Sequence, residues 1–367
     1  VLGKTSTGFV STIPPDRAKA IEWWEKASRN GSGAAAVALA EYYAPSSGSE
    51  PNLPRSFAWY RKAIELGDHG AEATYGSLLI QLSNNPVTRK DFFTNFPMPE
   101  SPAYKKLQEI TPNFSELPKD TGELYELGFQ SLKAASDASY LPAQRDLAIE
   151  LNSERSPHFD RKEAYRLFDL LVERNETIIF LHYGLSIVNF GETKEEFQKA
   201  HQLLEKATEM GENRAYRGLA TLYAKGRGVK RNPSKAFLYA NKCAETALDF
   251  CGDFMMNSYG LGNLSFGFKK DMELALYWAR RLAQAGIPSG YLFLSQNYLN
   301  RSKALIAETE RNHYLYLAYL FRQMSVNDGD VESVQQTNRI YRQMGEEERN
   351  RANEFLSKWR PSDPLPE

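Results

Sequence analysis

The sequence predicts an all-α, right-handed α-solenoid of about eight helical hairpins closed by a helical C-terminal cap. Three observations predict it. Stepping back from Ala236 by 36 residues at a time meets Ala200, Ala164, Gly128, Phe92, Ser56 and Ala20, all small except Phe92. Seven residues further along lies a second column: Cys243, Ala207, Leu171, Ala135, Pro99, Ala63 and Ala27. Four residues beyond that, Gly31, Gly67 and Gly211 stand where a helix would end in a left-handed turn. Each unit cannot bury its own apolar face, so stacking on neighbours builds the core.

The second helices of the units read alike: "RAKAIEWWEKASRNG", "RSFAWYRKAIELG", "FQKAHQLLEKATEMG" and "PSKAFLYANKCAETA". After a three-residue insertion comes "MELALYWARRLAQAG", with Ala275 and Leu282 in the two columns. The first helices carry their own columns: Leu39, Tyr75, Leu147, Tyr183, Leu219, Met255 and Leu294, followed at the next position by Ala40, Gly76, Ala148, Gly184, Ala220, Met256 and Ser295. Three positions on come Tyr43, Leu79, Leu151, Ile187, Tyr223, Tyr259 and Tyr298. Offsets of 0, +1 and +4 share one helical face, where small residues let helices approach and large ones fill the gaps.

Residues 83–120 break the pattern with Pro86, Pro97, Pro99, Pro102, Pro112 and Pro118, a spacing no helix interior tolerates. The register resumes at Gly128, so this segment reads as a degenerate repeat remodelled into a long loop with short helical turns. Its "DFFTNFPMP" is apolar for a loop. Either Phe92, Phe93 and Phe96 fold back onto the array or they project as a binding element. The repeat array is assigned to residues 1–300. Beyond it, "KALIAETERNHYLYLAYLFRQM", "VESVQQTNRIYRQM" and "EEERNRANEFLSKW" read as three helices, and 301–367 serve as the cap.

The stretch "AYRGLATLYAKGRGVKRNPSKAFLYANKCAE" resembles the Sel1-like repeat, a relative of the tetratricopeptide repeat. The residues that carry the likeness are Ala215, Leu219, Tyr223, Gly226, Gly228, Val229, Lys235, Ala236, Tyr239, Lys242 and Ala244. The chain departs from that family's pattern at Ala220, where glycine is favoured, and at Cys243. The likeness is close for this unit, fainter around 20–67 and 180–211, and faintest elsewhere. The resemblance implies a non-enzymatic protein-binding scaffold.

Composition narrows the function classes. Apolar residues make up 42% and charged residues 25%, as in packed soluble proteins. The net charge of -1 supplies no general field for nucleic acid or anionic membranes. No run of 18 apolar residues exists to span a membrane. The sequence begins at Val1, which reads as an exported product whose targeting segment is missing. Two cysteines, Cys243 and Cys251, either pair in an oxidising compartment or remain buried thiols.

No catalytic, cofactor or metal set emerges. His69, His158, His182, His201 and His313 stand in no ligand spacing. "GLGNLSFG" (260–267) has Ser265 in place of the third glycine of a dinucleotide fingerprint, and it follows a helix. The basic cluster Lys225, Arg227, Lys230, Arg231 and Lys235 is either an anion patch or the solvated loop the repeat pattern expects.

In a solenoid, partners bind the concave surface. On the first helices the face opposite the packing stripe carries Arg145, Leu181, Arg217, Asp253 and Leu292 at one position. At the next it carries Ile149, Leu185, Thr221, Asn257 and Gln296. The apolar Ile149, Leu181 and Leu185 are either covered by neighbouring segments or form the apolar centre of a partner site. The size, the late aromatic helix and the ending "YRQMGEEERNRANEFLSKW" are similar to periplasmic Sel1-repeat immunity proteins paired with type VI phospholipase effectors. That resemblance implies a monomeric periplasmic protein that neutralises a secreted antibacterial phospholipase or lipase toxin by occlusion. Alternatives are an envelope assembly scaffold, for instance for polysaccharide export, and a host-interaction virulence factor. An enzyme related to the β-lactam-binding Sel1-like proteins would need a cysteine pair in most repeats, and this chain has one pair at best.

Overall fold

The computed structural model describes residues 17–44, 52–112, 117–325, 331–360 and 363–366. Among them the chain is all-α, with nineteen helices and one isolated β-bridge, Asn263 to Phe268. It divides into two compact units, Val1–Asn175 and Glu176–Glu367.

In the first unit, α1 (Arg17–Arg29) leads into a hairpin of α2 (Gly33–Tyr42) and α3 (Leu53–Glu65). Next come α4 (His69–Asn84), α5 (Pro86–Asn95), α6 (Pro102–Ile110) and α7 (Thr121–Asp137). A hairpin of α8 (Leu141–Leu151) and α9 (Arg161–Glu173) completes it. The small columns are the seams: Ala36, Ala40, Ala63, Ala71, Ala135, Ala148 and Ala164 are all buried. Ser56 fits one seam by donating its hydroxyl proton to the Ala40 carbonyl at 2.8 Å. Side-chain caps set the helix starts. Asn52, Asp160, Asn232 and Asp271 each accept a backbone N–H three residues on, and each precedes a second helix of a hairpin.

The expected glycine stops are present, with φ of +94° at Gly31, +82° at Gly67 and +87° at Gly211. The same register positions between them are Ser139 and Asn175, and both also take positive φ, 64° and 60°. The left-handed turn thus persists where the glycine has gone.

The 83–120 segment differs from its expected form. It contains two helices, and Pro86 and Pro102 open them at the first turn, where a missing N–H is harmless. It is not a unit of the stack: α7, not α5, packs along α4 as its hairpin partner. The segment is therefore an insertion between the two helices of one hairpin. Gly76 of α4 and Gly128 of α7 meet at the crossing, where a Cβ on Gly76 would lie 2.6 Å from the Gly128 carbonyl oxygen.

In the second unit four hairpins follow: α10 (Thr177–Phe190) with α11 (Lys194–Glu209), α12 (Ala215–Lys225) with α13 (Pro233–Thr246), α14 (Leu248–Leu261) with α15 (Met272–Gln284), and α16 (Pro288–Lys303) with α17 (Glu308–Met324). Cys243 near the end of α13 and Cys251 at the start of α14 form a disulfide, with Cα atoms 5.7 Å apart. It straddles Ala247, which sits one period beyond Gly211 yet has φ of -142°. Among the described residues the bridge spans the one junction between successive hairpins that lacks a left-handed turn. The tail begins later than the sequence pattern suggested, because α16 runs to Lys303 and α17 starts only at Glu308. α17 is the second helix of a hairpin: Ser295 of α16 donates to the Ala318 carbonyl at 2.7 Å, a seam bond that runs from first helix to second where Ser56 to Ala40 runs from second to first. Then α18 (Val331–Gln343) and α19 (Glu346–Lys358) pack on α17.

Candidate partner-binding groove

The second unit builds a groove of about 440 Å³ from α12, α14 and the loop after α14. Its position follows from the repeat. Leu219 and Ala220 turn inward on α12, and Met255, Met256 and Tyr259 on α14, which leaves Arg217, Asp253 and Asn257 on the outer side. Asp253, Asn257 and Leu261 are spaced by four and line one face of α14.

The loop supplies the lip. Gly262 and Gly267 both have φ of +80°, and the Asn263–Phe268 bridge closes the turn between them. Phe266 and Phe268 are buried against Phe254, Tyr259 and Phe237, with ring centroids 4.8–6.1 Å apart. Anchored by those rings, the loop turns its leucines outward: Leu261 is 82% exposed and Leu264 75%. A glycine-rich stretch that fails as a phosphate cradle is thus a rigid apolar lip.

Across the groove the Arg217 guanidinium lies over the Phe250 ring, 5.1 Å from its centroid, and Nη1 donates to the Phe250 carbonyl at 3.5 Å. Thr221 donates back to the Arg217 carbonyl at 3.0 Å, so its hydroxyl is engaged within α12. Among the described residues neither Arg217 nor Asp253 has an ion-pair partner, so both charges remain available to a ligand. An exposed charge pair beside apolar side chains suits recognition of another protein.

The predicted face residues fall into separate groups. Arg217, Asp253 and Asn257 line the groove. Leu181 is 2% exposed, so for that residue the covering alternative holds. Leu185 is half-buried, its Cδ2 3.0 Å from where a Cβ on Gly218 would sit. On α16 Leu292 is half-buried and Gln296 exposed, its amide donating to Asn300 at 3.0 Å. Arg145 and Ile149 belong to the first unit, both half-buried, with Arg145 paired to Asp146 at 2.9 Å. The phenylalanine segment does not project. Phe92 is 2% exposed and packs on Phe57, Phe93 and Phe96 at 5.1–5.4 Å, while Phe93 and Phe96 lie half-buried against the same core. Sequence reasoning missed Phe250, Leu261 and Leu264. The three-residue insertion between Tyr259 and Ala275 was the available signal.

The basic cluster serves the hairpin in large part. Arg227 stacks on Phe197 at 5.1 Å and donates to the Val188 carbonyl at 3.3 Å. Arg231 donates to the Ala224 carbonyl at 3.2 Å, and Lys235 lies over Tyr223 at 4.9 Å. Gly228 is needed where the loop crosses α11, since a Cβ there would lie 2.5 Å from the Phe197 carbonyl carbon. The histidines are spread out and engaged singly. His201 contacts Tyr223 at 3.1 Å and Glu205 at 3.2 Å, and His158 contacts Glu126 at 2.6 Å. Burial and the nearby Arg214 guanidinium push the His182 pKa below its usual range. Among the described residues no group of His, Cys, Asp and Glu is placed to hold a metal, and no helix is long and apolar enough to cross a membrane.

Stacked hairpins with an open, mixed polar and apolar groove define a helical-repeat scaffold for protein–protein interaction. Residues 5–32, 33–68, 180–212, 213–245 and 250–287 match the Sel1 repeat family model. A search of curated proteins finds no match. Among solved structures, the chain is similar to a protective antigen present in uropathogenic Escherichia coli strains with an SLR fold, at 19% identity and a TM-score of 0.48, over 92% of this chain and 71% of that one. It is also similar to a Sel1 repeat protein from Oxalobacter formigenes, at 17% identity and a TM-score of 0.47, over 72% of this chain and 99% of that one.

Proposed function

We propose that this Sel1-repeat scaffold is an immunity protein that binds a secreted antibacterial phospholipase of the type VI class and neutralises it by occlusion. The observation that carries the binding reading is the groove of the second unit, where Arg217 and Asp253, which have no ion-pair partner among the described residues, stand beside the exposed Leu261. Apolar anchors beside free charges are what a tight protein interface uses. The Cys243–Cys251 disulfide supports an oxidising compartment, which fits the periplasm. The choice of a phospholipase rests on the likeness of the C-terminal sequence to such immunity proteins.

The test mixes the purified chain with the phospholipase toxin encoded beside its gene and follows hydrolysis of phosphatidylglycerol vesicles. Loss of activity at one-to-one stoichiometry is expected. Arg217→Glu combined with Leu261→Asp should weaken inhibition at least a hundredfold, about 3 kcal/mol, as for two interface anchors. Full hydrolysis in excess protein refutes the immunity reading. Inhibition that is unchanged in the double variant refutes the groove.

A further inference from the structure

A second cavity, of about 480 Å³, lies in the first unit between α1, α3 and α6. The irregular insertion makes it, because α6 lies against α3 where a regular repeat would have no element. Arg29, Arg55, Lys62 and Lys106 line it, opposed by the carboxylates of Glu25 and Glu109. Four cations against these two carboxylates and Glu65, which pairs with Lys62, leave one positive charge in excess. Arg55 is held in place, its guanidinium over the Tyr43 ring at 4.8 Å and Nη1 donating to the Tyr43 hydroxyl at 3.3 Å. The partners of the others are weak. Arg29 meets Glu25 at 3.2 Å one turn away on an exposed surface, Lys62 is 3.6 Å from Glu65, and Lys106 has no ion pair among the described residues. Long or solvent-facing pairs of this kind hold little and re-form readily around a ligand.

Two further features point to a ligand. Ser28, also in the lining, is 2% exposed, and among the described residues its hydroxyl has no hydrogen-bond partner. A buried polar group without a partner is costly unless something else satisfies it. Trp59 and Ile110 give the cavity an apolar side. We infer that this cavity binds a small phosphomonoester with an apolar or aromatic substituent. The surplus positive charge draws an anion, and two guanidinium and two ammonium groups offer more donors than a single carboxylate can use, whereas a phosphomonoester presents three acceptor oxygens. Guanidinium forks suit phosphate oxygens, and the substituent would lie toward Trp59.

Isothermal titration of the whole chain with phenyl phosphate at low ionic strength tests this. Saturable one-site binding is expected, weaker for inorganic phosphate and at least tenfold weaker for benzoate. Lys62→Glu combined with Lys106→Glu should weaken it at least tenfold, with circular dichroism confirming the fold. Ser28→Ala should weaken binding while leaving the melting temperature of the free protein unchanged or higher, since it removes a buried hydroxyl without a partner. The absence of binding to the wild type, equal affinity for benzoate, or binding unaffected by the lysine reversals would each overturn the assignment.

Discussion

The Gly76–Gly128 crossing makes a strong demand on the chain. A Cβ added at Gly76 would stand 2.6 Å from the Gly128 carbonyl oxygen, 2.8 Å from the Leu132 nitrogen and 3.2 Å from the Leu132 Cβ. Carbon contacts are optimal at about 3.5–4.0 Å, so α4 and α7 would have to separate by about 1 Å. The two nearest atoms belong to backbone, so no rotamer change relieves the clash. Separation would loosen Leu79, Leu124 and Leu132, all buried at this seam. Overpacking of this kind costs about 1–3 kcal/mol, and the backbone clash puts Gly76→Ala at the upper end. Against it stands a gain of about 1 kcal/mol in helix propensity. The expected net loss is about 2 kcal/mol. Gly260→Ala is the control. Its nearest neighbour would be the Phe293 ring at 3.5 Å, an ordinary contact, so propensity should leave it neutral or more stable by up to about 1 kcal/mol. In urea unfolding followed by circular dichroism, with a slope of about 2 kcal/mol per molar, Gly76→Ala should lower the midpoint by about 1 M. A midpoint at or above wild type for Gly76→Ala, or an equal fall for Gly260→Ala, would refute the close-crossing argument.

Two further outcomes follow from the second unit. Cys243 and Cys251 close a short loop, and the chain-entropy model assigns such a bridge about 2.5 kcal/mol, so reduction or a Cys243→Ala, Cys251→Ala pair should lower the thermal midpoint. An unchanged midpoint would show that Ala247 turns without help. His182 has its pKa lowered by burial first and by Arg214 second. The folded state therefore resists protonation that the unfolded state accepts, and stability present above the unfolded value of 6.5 should fall as pH drops through the lowered value. Titration of its ring protons by NMR should give a midpoint below 6.5, and one at or above that value contradicts the burial.

The repeat was legible because its columns answer to constraints that only small residues or glycine meet. Ala63, Ala135 and Ala207 in one column and Ala164, Ala200, Ala236 and Ala275 in the other recur in register and are fully buried at helix seams. The left-handed stops could be read only where glycine marked them. Ser139 and Asn175 take the same turn with side chains that carry no strong signal, so the column seemed to lapse in the middle of the chain. The cap column Asn52, Asp160, Asn232 and Asp271 was in the sequence too, but polar residues in loops are too common to stand out without the helix starts. The insertion was misread for a related reason. Its length is one full period, so stepping along the register placed Phe92 and Pro99 in the columns although that segment holds no place in the stack.

Sequence columns also misdirect the search for a partner surface, because they describe what the repeats share. Position along α10 made Leu181 equivalent to Arg217 of α12, yet Leu181 is buried and Arg217 is open. What separates them lies outside the columns: the three-residue lengthening after α14, whose first residues Gly262 and Asn263 join Leu261 in the groove with Arg217, with no counterpart after α12. The first unit obeys the same logic, since its cavity exists only because α6 was inserted against α3. In a stack of near-identical hairpins the shared residues support the array, and specific recognition must come from the places where one unit departs from the others. Both candidate surfaces of this chain sit at such departures, and that, more than any residue type, is why they are distinct in chemistry from the rest of the array.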